Sequence, residues 1–185
     1  MVPESYPTPL AGQKLTALLL RSMLPQTARK TADTQRNSTT TQTLDPHLQF
    51  TVVANAVYTF EGWFAYDSDI AADLIMAWTV PANTQGKWIG YGTGTTVISG
   101  TAGGGTQKDA VSTWGYTLRN EWTDINAGRT YGGVGVGNPQ SVLLMGTVRV
   151  GATGGTFGLQ WAQATSTAAN TTIYTDSEIT LQRTA

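Results

Sequence analysis

The sequence predicts an all-β protein: an antiparallel β-sandwich, jelly-roll-like, preceded by an extended N-terminal arm and one short helix. From Leu48 onward, apolar and polar residues alternate with the period of two that is typical of strands burying one face. About eight such runs follow at spacings of roughly 8–12 residues, as in sandwiches and barrels. The chain is rich in threonine and has 21 glycines, a composition that favours strands and tight turns.

The N-terminal quarter is predicted to be distinct from the sandwich. Residues 1–12 contain three prolines, which fix φ and lack an amide donor, so an extended arm is expected there. Residues 26–45 are polar and threonine-rich and are expected to form an edge strand or a linker. We therefore predict a docking or oligomerisation segment over residues 1–45 and a sandwich domain over residues 46–185.

One short helix is predicted within residues 13–24. Thr16 is a suitable N-cap, and Pro25 ends the helix. A helix of about ten residues is only marginally stable alone in water, so it must pack on its own domain or on a neighbouring chain. The residues expected to make this docking or oligomerisation contact fall near one face: Leu15, Leu18, Leu19 and Met23.

The alternation also predicts which strand residues face the core. A turn is expected at residues 67–69, a flexible loop at residues 100–105 and a further strand at residues 111–118. The predicted inward sets are Leu48, Phe50 and Val52; Tyr58, Phe60, Gly62, Phe64 and Tyr66; Leu74, Met76, Trp78 and Val80; Val142, Leu144, Gly146, Val148 and Val150; and Phe157, Leu159 and Trp161.

Composition excludes several function classes. Lysine and arginine total 11 against 12 acidic residues, which argues against a nucleic-acid binder because such proteins need a basic face. The absence of cysteine rules out disulfides, zinc-thiolate sites and thiol nucleophiles, and the single histidine, His47, is too little for a triad or a histidine-ligated metal. No cofactor is expected.

The N-terminus resembles no signal peptide, and no apolar run approaches the ~20 residues of a membrane span. The chain is therefore expected to be made in the cytoplasm and to have no membrane partner. Its predicted surface nevertheless carries threonine, glycine, asparagine and glutamine in place of lysine and glutamate. A particle component released by lysis satisfies both conditions.

Acidic residues and glycine runs offer little catalytic signal. Three aspartates at 67, 69 and 73 lack the glycine and distal glutamate of a calcium loop and are interpreted as a polar turn. Glu61, Glu121 and Asp124 would serve a glycoside hydrolase only if two of them faced each other across a cleft. The glycine runs at 103–105 and 132–137 are not followed by a phosphate-binding helix, so we expect mobile loop tips.

Aromatic residues are the more informative group. Four tryptophans on predicted strands are expected to anchor the core: Trp63, Trp78, Trp114 and Trp161. Exposed aromatic rings stack on sugars or mark protein interfaces. The candidates for an exposed, glycan-binding platform are Trp88, Trp122 and Tyr131.

Six segments of the chain form a distinctive series when taken in order: Gly12–Leu19, Gln26–Thr34, Ser38–Thr40, Leu44–Leu48, Val53–Tyr58 and Phe157–Gln163. This series resembles small virion proteins of actinobacteria-infecting tailed phages. The similarity extends from Pro9 to Leu181, with departures around residues 83–110 and 120–140.

This resemblance implies a non-enzymatic structural or adhesive role in a virion, with other virion proteins as partners and, by analogy, a homotrimer. The chain is short for a tail fibre, which favours a capsid decoration or head fibre over a minor tail protein. The alternative is a carbohydrate-binding module for attachment to a host cell-wall glycan. A small glycan hydrolase is the third hypothesis.

Overall fold

The fold was obtained as a computed structural model, which describes residues 10–102, 105–110, 120–121 and 125–185. It contains one short helix and fourteen strands within these residues. The elements are α1 Ala17–Ser22, β1 Gln26–Arg29, β2 Thr34–Arg36, β3 Thr43–Val52, β4 Val57–Asp67, β5 Leu74–Thr79, β6 Gln85–Tyr91, β7 Thr93–Ala102, β8 Gly105–Ala110, β9 Asn120–Glu121, β10 Arg129–Tyr131, β11 Gln140–Arg149, β12 Gly155–Gln163, β13 Thr171–Ile173 and β14 Glu178–Arg183.

The strands form two main sheets that face each other, which confirms the antiparallel sandwich. The large sheet runs in the order β1-β14-β4-β11-β6-β9, with β13 and β2 attached beside β4. The small sheet runs β10-β5-β12-β3, and β7 pairs with β8 as a separate hairpin. The strand pairs are antiparallel throughout these sheets, as short connections without crossover helices require.

The predicted inward faces meet in one core between the two sheets. Phe60 of the large sheet contacts Trp78 of the small sheet edge to face, with ring centroids 4.6 Å apart. Trp78 also stacks on Phe157 at 5.0 Å. The inward positions of β3, β4, β5, β11 and β12 are buried, so the period-two prediction for these strands is confirmed.

The N-terminal segment is shorter than predicted. The helix spans only Ala17–Ser22, and Thr16 caps it by accepting a hydrogen bond from the Leu19 amide. The boundary predicted after residue 45 falls inside β3, while β1 and β2 belong to the large sheet. The sandwich therefore begins at residue 26, because this threonine-rich stretch finds edge pairings on β14 and β13.

Two further predictions need correction. Trp63 is exposed rather than in the core, because it lies next to buried Phe64 on β4 and neighbouring side chains point to opposite faces. The loop expected over residues 100–105 is largely strand, since β7 continues to Ala102 and β8 begins at Gly105. The strand predicted over residues 111–118, with Trp114, lies outside the described residues.

Candidate functional site

A row of side chains crosses the outer face of the large sheet, away from the core. The cross-strand partners in it are Arg29 with Glu178, Glu178 with Trp63, Trp63 with Leu143, and Leu143 with Tyr91. The row thus passes through β1, β14, β4, β11 and β6. Its last three members are apolar or aromatic, and all three are exposed, Trp63 by 40% and Tyr91 by 48%.

A second row runs parallel to the first and widens the apolar area. Glu61 pairs with Met145, and Met145 pairs with Ile89. Met145 is 49% exposed, close to its neighbour Leu143. We define the outer-face patch as Trp63, Ile89, Tyr91, Leu143 and Met145. An exposed contiguous apolar group of this kind marks an interaction surface in a folded protein.

The outer-face patch has an acidic border on the β14 side. Glu61, Glu178 and Thr180 line a shallow depression of about 230 Å³ together with Trp63 and Met145. Glu61 and Glu178 are exposed, and neither carboxylate forms a salt bridge within the described part of the chain. Arg29, across from Glu178, forms its salt bridge with Asp176 instead.

The N-terminal segment is the second uncovered apolar surface. Of the residues predicted to dock, Leu15 is 70% exposed, Met23 is exposed and Leu19 is half-buried, while the side chain of Leu18 lies outside the described residues. Leu10, Leu20 and Leu24 are exposed as well. The segment touches the sandwich where Gln182 Nε2 donates to the carbonyl oxygen of Met23 at 3.3 Å.

Two of the three residues predicted to form a glycan platform are not exposed. Trp88 is buried at an inward position of β6 and meets Trp78 edge to face, with centroids 6.1 Å apart. Tyr131 is buried too, and its hydroxyl fills the space where a Cβ on Gly90 would stand. Both aromatic rings thus belong to the core, so the expected exposure is wrong. Trp122 lies outside the described residues.

Residues 132–137 are anchored rather than a free loop tip. The Gly133 amide donates to Asp73 Oδ1 at 2.8 Å, and the Gly137 amide donates to Asp67 Oδ2 at 2.7 Å. Asp67 Oδ2 also accepts from the Tyr174 hydroxyl at 2.8 Å. Burial of Tyr174 is the larger cause and its contact with this carboxylate the smaller one, and together they raise the pKa of the phenol to about 12. These aspartates therefore fasten two loops together.

No cluster of three or more potential metal ligands occurs in the described residues. Asp69, the last residue of the turn predicted at residues 67–69, accepts a hydrogen bond from the Ala71 amide at 2.9 Å and so caps the turn. This arrangement agrees with the polar-turn interpretation. Of the three acids considered for hydrolysis, Asp124 lies outside the described residues, so the pairing stays a prediction. No helix in the described part of the chain is long and apolar enough to cross a bilayer.

A polar cluster is buried under the edge of the sandwich. Lys30 Nζ lies 2.8 Å from Asp45 Oδ2, and the Trp161 indole donates to the same oxygen at 3.0 Å. Arg36 lies over the Trp161 ring, 4.0 Å from its centroid, and donates to the Trp161 carbonyl oxygen. Desolvation lowers the pKa of Arg36, opposed by the nearby Asp45 charge. His47 is next to this cluster and donates its amide to Asp45 Oδ1 at 2.9 Å.

The outer-face patch was missed by sequence reasoning, although its signal is present. The alternation that places Phe64 inside places Trp63 outside, and the same rule turns Leu143 and Met145 away from buried Leu144. Their convergence is not local, because it depends on the pairing of β11 with both β4 and β6.

No protein-family model and no curated protein matches the sequence. Among solved structures, the chain is similar to the VP2 subviral particle of infectious bursal disease virus, at 12% identity and a TM-score of 0.21. A structure of the Gt strain of that virus is similar at 12% identity and a TM-score of 0.20. The matches cover 85% and 98% of this chain but only 39% and 48% of those chains, so this chain spans less than half of their length. TM-scores this low do not establish a shared fold, and no function follows from them.

Proposed function

We propose that this chain is a non-enzymatic structural protein of a tailed-phage virion. It is a surface appendage, of the capsid decoration or head-fibre type or a minor tail protein, and its N-terminal segment attaches it. The observation that carries the proposal is the presence of two uncovered apolar surfaces, residues 10–24 and the outer-face patch. Both surfaces expose large apolar side chains that a binding partner would cover.

Two features of the sequence support a particle protein. The ordered resemblance to small phage virion proteins runs through almost the whole chain, from Pro9 to Leu181. The low charge and the lack of cysteine suit a protein that folds in the cytoplasm and is then displayed outside the cell. As in other appendages of this size, we propose a homotrimer.

Deletion of residues 1–24 tests the attachment. The truncated protein retains β1 and every later strand, so it is expected to fold. Produced during infection, it should be missing from purified particles, as measured by quantitative mass spectrometry, while a full-length Thr51→Ala control is incorporated normally. Full incorporation of the truncated chain would contradict the proposal, and soluble, folded truncated protein in the lysate excludes misfolding as the cause.

Carbohydrate binding is a second candidate because Trp63 and Tyr91 lie on the same row, two strands apart, about 9–10 Å across the sheet at the usual interstrand spacing. Both rings are exposed, and Trp63 lies beside the Glu61 and Glu178 carboxylates, which can accept hydrogen bonds from sugar hydroxyls. A glycan array should then give signals that Trp63→Ala removes and Thr51→Ala retains. The absence of any signal with the full chain would eliminate this candidate.

A further inference from the structure

We propose that residues 10–24 of one copy dock on the outer-face patch of a second copy. This inference deepens the proposed attachment role of the N-terminal segment, by naming another copy of the chain as the partner. The two surfaces are chemically matched, lie close together on each copy and are both uncovered.

The first argument is the apolar surface left exposed on both sides. Leu20 projects from a helix of six residues, and Leu15 and Leu24 lie on either side of that helix. A helix this short is not stable without tertiary contacts. Trp63 and Met145 provide a broad apolar surface on a rigid sheet. Docking one surface on the other would bury these side chains and stabilise the helix at the same time.

The second argument is charge. Residues 10–24 contain Lys14 and Arg21 and no acidic residue. The patch is bordered by Glu61 and Glu178, whose carboxylates have no ion-pair partner in the described part of the chain. A basic apolar segment and an acidic apolar surface are complementary, and complementary charges fix the orientation of such a contact.

The third argument is location. The segment joins the sandwich at Pro25, which lines a second shallow groove together with Glu61, Met145 and Thr180. The C-terminal end of the segment is held at the same border by the hydrogen bond that Gln182 donates to the Met23 carbonyl oxygen. Leu20 and Leu24 nevertheless stay exposed, so the patch of the same copy does not cover them. A neighbouring copy offers an identical patch at its own border.

Each copy carries one segment and one patch, so a closed ring of copies satisfies every surface. A contact of this kind is heterologous, and it forms a ring when the rotation between successive copies closes, as the proposed trimer requires. The composition of the patch also favours a protein over a sugar. Leu143 and Met145 lie at its centre with the charged residues at its border, which is the usual composition of protein interfaces.

The chain has no cysteine, so introduced thiols test the contact directly. Purified full-length Leu20→Cys protein, lengthened by a tag, is mixed with untagged Met145→Cys protein under mild oxidation. We expect a covalent heterodimer on a non-reducing gel. Thr51→Cys, exposed on the outer face of the small sheet, replaces Met145→Cys in the control and should give little product.

A charge introduced into the patch gives an independent measurement. Leu143→Lys should weaken self-association by about tenfold to a hundredfold in sedimentation equilibrium, as expected for a central interface residue. The change Thr147→Lys, four positions further along the same strand and outside the defined patch, should weaken self-association less. Circular dichroism and thermal unfolding of each variant verify that the fold is retained.

Four results would overturn the inference. The first three are a wild-type chain that remains monomeric at all concentrations, equal cross-linking to Met145→Cys and Thr51→Cys, and a disulfide that forms only within a chain carrying both Leu20→Cys and Met145→Cys. The fourth is a Leu143→Lys variant that loses glycan-array binding while the mass of the assembly in sedimentation equilibrium stays unchanged. Loss of the truncated chain from particles, measured separately, would still support the proposed virion role in each of these cases.

Discussion

Lys30 and Asp45 form a salt bridge in which the ammonium nitrogen lies 2.8 Å from the carboxylate and neither side chain is accessible to solvent. The lysine lies just after β1 and the aspartate lies within β3. The bridge therefore joins an edge of the large sheet to an edge of the small sheet. The Trp161 indole donates a further hydrogen bond to Asp45, and the Thr34 hydroxyl accepts one from the Lys30 ammonium.

Breaking this pair should strongly destabilise the fold. Lys30→Met removes the ion-pair partner of the buried Asp45 carboxylate and leaves only Arg36 as a nearby positive charge. Removing one partner of a buried salt bridge typically costs about 3–5 kcal/mol of unfolding free energy. The double variant Lys30→Met with Asp45→Asn should recover part of that loss. Urea denaturation gives both values, with exposed Lys14→Met as the control. A single variant within about 0.5 kcal/mol of wild type would contradict the prediction.

Two tryptophans fifteen positions apart should differ sharply in stability tests. Trp78 packs on Phe60 and Phe157, so Trp78→Ala should cost about 3–5 kcal/mol through lost burial and a residual cavity. Trp63→Ala, on the exposed outer face, should change the unfolding free energy by only about 0.5 kcal/mol. Equal effects in the same denaturation experiment would mean that the strand faces have been assigned incorrectly.

Gly133 should tolerate no side chain. A Cβ there would lie 2.4 Å from the Asp69 carbonyl oxygen and 2.5 Å from that of Ser68, both backbone atoms that cannot move independently. We expect Gly133→Ala to lower the unfolding free energy by about 1–3 kcal/mol. Gly155→Ala is the matched control, because its nearest contact is the Pro81 side chain at 3.3 Å. Similar melting temperatures for the two variants would disprove the predicted clash.

Stability should fall at alkaline pH. The pKa of Tyr174 is raised to about 12 in the folded protein, and burial also raises the pKa values of Tyr66 and Tyr131. An unfolded tyrosine loses its proton near pH 10, before the folded ones do. The contribution of these groups to stability is therefore complete below pH 10 and is lost as pH rises from about 10 towards 12.

Thermal melts between pH 8 and pH 11.5 measure this loss. The variant Tyr174→Phe should show a shallower decline above pH 10 than wild type, because one of the titrating phenols has been removed. Parallel curves for the two proteins would show that Tyr174 does not contribute to the alkaline loss.

The sequence predicted the inward faces well because alternation is a local signal. The residues of β4 from Tyr58 to Tyr66 obey it, and so do those of β11. In β12 the predicted inward residues Phe157, Leu159 and Trp161 are buried, but Gly158 and Ala162 between them are buried as well. The error at Trp63 came from giving weight to residue type, since a large aromatic is usually buried, over its position next to Phe64. For Trp88 the position near predicted loops outweighed the residue type, so exposure is predicted for a ring that is buried.

The remaining features depend on contacts between distant parts of the chain. β14 pairs with β4 although more than a hundred residues separate them, and β1 then pairs with β14. No local pattern indicates that Lys30 meets Asp45 or that Gly133 closes on Asp73. The outer-face patch likewise exists only because three strands align Trp63, Leu143 and Tyr91 in register.

The strand order also governs how copies can meet at their rims. In the described residues, the large sheet ends in β1 with four residues and β9 with two, and the small sheet ends in β10 with three. The other rim strand of the small sheet, β3, is longer, but it includes Pro46, which offers no amide hydrogen. Such edges give an incoming strand few backbone groups to bind. Copies that meet at these rims therefore have little tendency to polymerise into open-ended β-fibres.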